Sequence, residues 1–254
     1  MEYTILICDD DADILNALEI YLRQESYEVI KAANGAEAVT LVEDSADIHL
    51  ILLDIMMPIM DGIKAAVKIR EKSNVPIIFL SAKSEDTDRV LGLNMGGDDY
   101  ITKPFNPVEL TARVKAALRR YARLGGMNGM ATQSEDAPVE GIFQTGGLVL
   151  DDNKKRVTVD GDEKILTSIE YNILRLLISA PDRVFTSAQI YEAVWNEPAF
   201  HVSKTVSVHI RHIREKIEIN PKEPQYLKVI YGLGYKVVKI VDMLKSCAPK
   251  AHNV

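Results

Sequence analysis

The chain of 254 residues suits two domains of ordinary size, and a hydrophobic content of 47% allows real cores, which excludes global disorder. The net charge of −7 conceals an asymmetry: residues 1–120 carry 13 basic and 21 acidic side chains, whereas residues 142–254 carry 16 and 13. An acidic front half and a mildly basic back half point to different partners, so overall acidity does not exclude nucleic acid.

No apolar run reaches membrane-spanning length, because Asp54, Pro58 and Asp61 interrupt the longest one. The chain enters a strand without a signal-type leader. Cys8 and Cys247 give neither a disulfide framework nor metal-site spacing. The expectation is a cytoplasmic protein with no membrane partner.

From residue 1 to about 120, strands alternate with helical patterns, which predicts βαβ units and a parallel sheet. Strand Ile5–Ile7 leads to a helix that Asp11 or Asp13 can cap, with Ile14, Ala17, Leu18, Tyr21 and Leu22 on one face. Strand Tyr27–Lys31 and a helix near Ala36–Glu43 follow. Next come strand His49–Leu53, helix Gly62–Lys72, strand Pro76–Leu80, helix Glu85–Asn94, strand Asp99–Thr102 and a helix from about Pro107 to Arg120. The expectation is a doubly wound, five-stranded α/β domain over 1–121.

Four of these strands end on reactive groups: Asp9 and Asp10, Asp54, Ser81, and Lys103. Parallel strands deliver such groups to one sheet edge, where open α/β sheets bind ligands. Solvated surface acids would account for one strand end, but acids at two ends with a lysine at another repel unless a hard cation joins them. Asp54 then reads as a nucleophile that takes a phosphoryl group as an acyl phosphate. Lys103 offers positive charge and Ser81 a hydroxyl to the phosphoryl oxygens, and Mg²⁺ or Mn²⁺ on Asp9, Asp10 and Asp54 neutralises the rest.

The run LLDIMMPIMDG at 52–62, with Asp9-Asp10, Ser81 and Lys103-Pro104-Phe105, resembles the receiver domain of two-component response regulators. The resemblance implies a sensor histidine kinase as donor, a Met56 carbonyl in the metal shell and a cis Lys103–Pro104 bond. It also implies a switch in which Tyr100 turns inward as Ser81 moves to the phosphoryl group. In one subfamily it implies a homodimer face bridged by Arg89–Glu109, Asp99–Arg113 and Asp98–Arg120.

Residues 122–141 lack periodicity and are rich in Gly, Ser, Pro and acid, so they read as a flexible linker. A second domain over 142–241 follows, with a frayed tail at 242–254. Leu148–Leu150, Arg156–Val159 and Lys164–Leu166 read as short strands, with Asp160-Gly161 the clearest hairpin signal. Thr167 and Glu170 form a capping box for a helix carrying Tyr171, Leu174, Leu177 and Ile178. Thr186 opens a second helix through Trp195, and a third runs from about Lys204 to Glu218. Leu227–Ile230 and Tyr235–Ile240 close the domain as a hairpin.

The third helix carries the domain's chemistry. Val206, Ile210, Ile213 and Ile217 form its apolar stripe, opposite Lys204, Thr205, Val208, Arg211 and His212, with Arg214 and Lys216 flanking. An ordinary amphipathic helix explains the charges but not an outward valine. In a major groove, Val208 can touch thymine methyls while Arg211 and His212 reach base acceptors. Lys204 and Arg214 suit phosphates.

The segments TVSVHIRHIREKI at 205–217 and YGLGYKV at 231–237 resemble the winged helix-turn-helix effector of the OmpR/PhoB subfamily, with Trp195, Thr205, His209 and Arg211 in matching places. By that resemblance the domain binds double-stranded promoter half-sites and offers the loop 196–203 to RNA polymerase. The subfamily's wing begins with arginine before Gly-x-Gly. Tyr231 stands here instead, which leaves Lys236 and the Tyr235 hydroxyl to meet phosphate.

The combined reading is a DNA-binding response regulator, phosphorylated on Asp54, dimerising, and turning over no separate substrate. A phosphatase needs an acid-base residue two positions beyond its nucleophile, and Met56 stands there. A regulator acting by protein contact, or without phosphorylation, is the alternative.

Overall fold

The computed structural model describes residues 3–44, 47–82, 97–123, 141–196 and 203–240. The front half is one parallel sheet of five strands: β1 (Thr4–Cys8), β2 (Glu28–Ala32), β3 (Ile48–Asp54), β4 (Ile77–Ala82) and β5 (Asp99–Lys103), in the order β2-β1-β3-β4-β5. Helices α1 (Ala12–Gln24), α2 (Gly35–Asp44), α3 (Gly62–Arg70) and α4 (Pro107–Arg123) cover it. The helix expected over 85–94 lies outside the described residues.

Alternating strand residues feed two cores. Leu6, Cys8, Ile51, Leu53 and Phe79 pack with α2 and α3 on one side. Ile5, Ile7, Leu50, Leu52 and Leu80 pack with α1 and α4 on the other. Both strand faces are buried, which explains the near-continuous apolar runs. Of the two candidate caps for α1, Asp11 is the one used, accepting from the Asp13 and Ile14 amides.

The order reverses around β1, whose neighbours are β2 and β3. Cys8 sits opposite Leu53, so Asp9 follows β1 beside the Asp54 end of β3. This is the switch-point edge.

The back half opens with an antiparallel sheet of β6 (Ile142–Thr145), β7 (Leu148–Asp151), β8 (Arg156–Val159) and β9 (Asp162–Glu163). Sequence reading misses β6, which is too short to show a sustained alternation. It also places the third strand at 164–166, whereas β9 is Asp162–Glu163, with one more backbone bond from the Lys164 amide to the Val157 carbonyl at 2.9 Å. The cause is the turn: Asp160 and Gly161 both take positive φ (51° and 92°), a two-residue primed turn that starts β9 at once.

Helices α5 (Ser168–Ile178), α6 (Ser187–Trp195) and α7 (Ser203–Ile217) follow, then the hairpin β10 (Leu227–Ile230) and β11 (Gly234–Val237). Capping boxes start α5 at Thr167–Glu170 and α6 at Thr186–Gln189. Trp195, Ile190, Leu174, Val206, Ile210, Ile213 and Leu227 share one core.

Candidate functional site

Three strand ends deliver the acidic cluster and its lysine. Asp9 is fully buried, Asp54 nearly so and Asp10 exposed, and one carboxylate oxygen from each lies within 4.8 Å of the others. The Lys103 Nζ bridges Asp9 Oδ2 at 2.6 Å and Asp54 Oδ1 at 2.5 Å. The Met56 amide donates to the other Asp54 oxygen at 2.8 Å. The Lys103–Pro104 bond is cis.

Burial pushes the Asp54 carboxyl up, against the hydrogen bond from Lys103, and the neighbouring Asp9 charge adds to the rise. Burial draws the Lys103 ammonium down, but its bonds to Asp54 and Asp9 outweigh that, so it is held above its ordinary value. Three carboxylates facing one ammonium leave negative charge uncompensated. An all-oxygen donor set of this kind fits a hard divalent cation. Ser81, at the neighbouring strand end, has a buried hydroxyl with no hydrogen-bond partner among the described residues. Such a group is costly to leave unmade and is ready for an incoming oxygen.

The motif's Gly62 has a steric reason. A Cβ there would lie 1.9 Å from the Asp54 carbonyl oxygen, so only glycine lets α3 start against the end of β3. Asp61 caps α3 through the Lys64 amide at 2.8 Å. Tyr100 is half-buried against the α2–α3 side of the sheet.

The dimer-face residues are partly engaged within the chain. Arg113 donates to both Asp99 oxygens (3.3 and 3.1 Å) and to Glu109 at 3.1 Å. Asp98 meets Arg70, at 2.7 Å, a partner that sequence reading did not foresee. Arg70 also donates to the Val75 carbonyl at 2.6 Å, which ties the end of α3 to the start of β4. Nothing in the sequence pattern marks it, since it ends α3 like any last-turn arginine. Arg89 lies outside the described residues.

The α7 face needs correction. Val208, expected to point outward, is 6% exposed and is absent from the effector core. Thr205 and His209 are buried as well. The receiver reaches this turn at His209. The Asp98 backbone lies near the His209 ring, although neither ring nitrogen has a hydrogen-bond partner among the described residues. His209 also packs on the Trp195 ring, with centroids 5.5 Å apart. Burial pushes the His209 imidazole down to about 4, so it is neutral there. Arg120 reaches the Trp195 carbonyl at 3.4 Å. A cleft of about 470 Å³ between the domains is lined by Arg70, Glu170, His212 and Lys216.

Arg214 also departs from expectation. It is half-buried, and its Nε donates to the Leu227 carbonyl at 2.9 Å, so it ties helix to hairpin. Arg211 remains exposed and pairs with Glu215. Lys204 is exposed on the first turn. Tyr235 is half-buried, and Lys236 pairs with Asp182 at 2.9 Å. The loop 197–202 lies outside the described residues.

Sequence reading also missed Glu218. Its buried carboxylate accepts from the Gln225, Tyr226 and Leu227 amides at 2.7–3.0 Å. An acid just past a helix end gives no sequence signal by itself. Among the described residues no helix is long and apolar enough to cross a membrane.

Comparison with known proteins agrees with both halves. The family described as response regulator receiver domain matches residues 5–115. The family described as transcriptional regulatory protein, C terminal, matches residues 161–237. The chain is 42% identical to the uncharacterized transcriptional regulatory protein YcbL of Bacillus subtilis, over 91% of this chain and 99% of the relative. It is 40% identical to regulatory protein VanR of Enterococcus faecium, over 94% and 100%. It is 39% identical to the transcriptional regulatory protein ResD of Bacillus subtilis, over 92% and 95%. Among solved structures, a mutant of RitR shares the fold with a TM-score of 0.70 at 23% identity, covering 93% of this chain and 99% of that one. Receiver, effector and full-length relatives agree: this chain belongs to the OmpR/PhoB-type DNA-binding response regulators of two-component systems.

Proposed function

We propose that Asp54 accepts a phosphoryl group from a sensor histidine kinase, and that this converts a closed monomer into a dimer that binds promoter DNA and regulates transcription. The observation that carries the reading is the meeting of Asp54, Asp9 and Lys103 at one sheet edge, with Lys103 Nζ 2.5–2.6 Å from both carboxylates. Asp54 forms the new oxygen–phosphorus bond as the donor phosphohistidine's nitrogen–phosphorus bond breaks. Lys103 follows the charge onto the phosphoryl oxygens, and the Ser81 hydroxyl gains its missing partner. Asp9, Asp10, Asp54 and the Met56 carbonyl hold Mg²⁺ or Mn²⁺, which when bound supplies positive charge opposite those oxygens.

The closed arrangement supplies the rest of the reading. Asp98 is taken by Arg70, and Arg120 by the Trp195 carbonyl, so neither is available to a second copy while the domains touch. Movement of Ser81 and Tyr100 shifts the population toward separated domains, which frees Asp98 and Arg120 for the homodimer together with Arg89, Asp99, Glu109 and Arg113. Separation also uncovers Thr205, Val208 and His212, which join Lys204 and Arg211 as the DNA-reading set. The loop around 196–203 is then open to RNA polymerase. His209 stays on Trp195 and Arg214 on the hairpin, as positioning residues. Kinase and promoter both place the protein in the cytoplasm, and no separate substrate is turned over.

The test is DNA affinity and sedimentation of the full chain with and without a small phosphodonor. The reading expects a shift from monomer to dimer and at least a tenfold gain in affinity, in line with the effective concentration that dimerisation supplies. A monomer with unchanged affinity after stoichiometric phosphorylation rejects it.

A further inference from the structure

A second cleft between the two halves, of about 450 Å³, opens where α4 of the receiver meets α5 and α6 of the effector. Its charge is one-sided. Arg119 and Arg120 enter it from α4 and Arg175 from α5, with Asn172, Ser179 and Asn196 beside them. Among the described residues no acidic side chain lines it. The cleft beside Arg70 differs, because there Glu71, Glu170 and Glu215 balance Arg70, Lys72 and Lys216.

The carboxylates that act on these arginines are shared with other groups. Asp152 accepts from the Arg175 Nε at 2.8 Å, but also from the Lys155 ammonium at 2.7 Å and the Tyr171 hydroxyl at 2.8 Å. Asp99 feels the Arg120 charge, yet Arg113 holds both of its oxygens. Arg120 is 7% exposed and donates to the neutral Trp195 carbonyl at 3.4 Å. Arg119 is exposed and makes no ion pair among the described residues. Three guanidinium groups around a cavity that no acid lines repel one another, and a buried charge is costly without a matching partner. The planar fork of arginine meets phosphate oxygens two at a time. A cleft of this volume is of the size that takes small ligands.

We propose that this cleft binds a small phosphate-bearing anion, of the polyphosphate or nucleotide class, which bridges α4 to α5 and holds the two domains closed. Arg119 and Arg175 supply forks at the exposed mouth, and Arg120 supplies charge below them. The anion binds fully only while both helices face the cleft, so its binding free energy is added to the closed state by linkage. At ten times its dissociation constant it multiplies the closed population about elevenfold. It also occupies Arg120, which the dimer needs. That regulatory consequence rests on the proposal that domain separation precedes dimerisation, whereas the binding step does not.

The probes are inorganic pyrophosphate and ATP, titrated into the full chain by calorimetry without divalent cations, so that the acidic sheet edge repels them. One anion per chain is expected, with a dissociation constant below about 1 mM. Arg119→Ala and Arg175→Gln are each expected to weaken binding about tenfold, as loss of a charge-assisted hydrogen bond does. Arg156→Ala, on β8 outside the cleft, is expected to leave it unchanged. ATP that binds no tighter than pyrophosphate assigns the site to a polyphosphate, and tighter ATP assigns it to a nucleotide. Binding that survives both cleft variants, an equal loss in Arg156→Ala, or no binding at about 10 mM overturns the site. Dimerisation by a phosphodonor is then followed with and without pyrophosphate in excess Mg²⁺, and the anion is expected to oppose it. Binding that leaves dimerisation unchanged overturns the hold on the closed state. A chain that stays monomeric without the anion rejects the dimer reading and leaves the calorimetry to decide the site.

Discussion

Replacing Glu218 by alanine is expected to destabilise the effector while leaving the receiver alone. The side chain is 8% exposed and accepts three backbone amides, from Gln225, Tyr226 and Leu227. Alanine leaves those donors without acceptors in a site that water reaches poorly. At about 1 kcal/mol for each orphaned amide, the low end of the usual range, the loss is about 3 kcal/mol. With a urea dependence of about 1.5 kcal/mol per molar for a domain of this size, the midpoint falls by about 2 M. Trp195 is the chain's only tryptophan and is fully buried in the effector, so its fluorescence follows this domain's unfolding. Glu218→Gln keeps one acceptor oxygen and is expected to lose about half as much. Glu215→Ala, an exposed partner of Arg211, is the control and is expected to stay within about 0.5 kcal/mol. A Glu218→Ala chain with the wild-type midpoint would refute the clasp between helix and hairpin.

Three further outcomes follow from the same geometry. In metal-free protein the buried Asp54 charge opposes folding, so Asp54→Asn is expected to stabilise the receiver by about 1 kcal/mol at neutral pH. Because the folded-state value is raised, that penalty disappears as pH falls through it toward the ordinary carboxylate value, and the two chains should converge in acid; a gap that widens there contradicts the charge assignment. His209 behaves in the opposite sense: with its folded value near 4 against an ordinary 6.5, it adds stability present above 6.5 and lost as pH falls toward 4. The Trp195 signal should therefore report loosening across that window, amounting to at most about 3 kcal/mol, and His209→Phe should flatten it. Arg211→Ala is expected to cost about 1–3 kcal/mol of DNA affinity with an unchanged urea midpoint, and equal binding would remove Arg211 from the reading face.

The receiver was largely legible because its signals are local. Each buried parallel strand is a short apolar run, and each of the four that line the site ends on the residue the sheet edge needs, so the pattern alone brings Asp9, Asp10, Asp54, Ser81 and Lys103 together. Residues whose work depends on a distant partner were not legible. Arg70 meets Asp98 from 28 residues away, and Glu218 serves the amides of a turn it does not belong to. Val208 shows a different limit. Helical periodicity places it opposite the apolar stripe, yet it is buried outside the effector's core cluster, and periodicity along one helix does not register what packs on its far face. The misplaced third strand has a nearer cause, since the Asp160-Gly161 turn is two residues long and, taken strictly, starts β9 at Asp162.

The central claim is that Asp54 is the acceptor in a cation-dependent phosphoryl site, and intact-protein mass after incubation with a small phosphodonor tests it most directly. The account predicts one added phosphoryl group on the wild-type chain in the presence of Mg²⁺, and none when the cation is removed or Asp54 is replaced by alanine. Addition that persists in Asp54→Ala, or a wild-type chain that takes up nothing from either a phosphodonor or a histidine kinase with Mg²⁺ present, would contradict it.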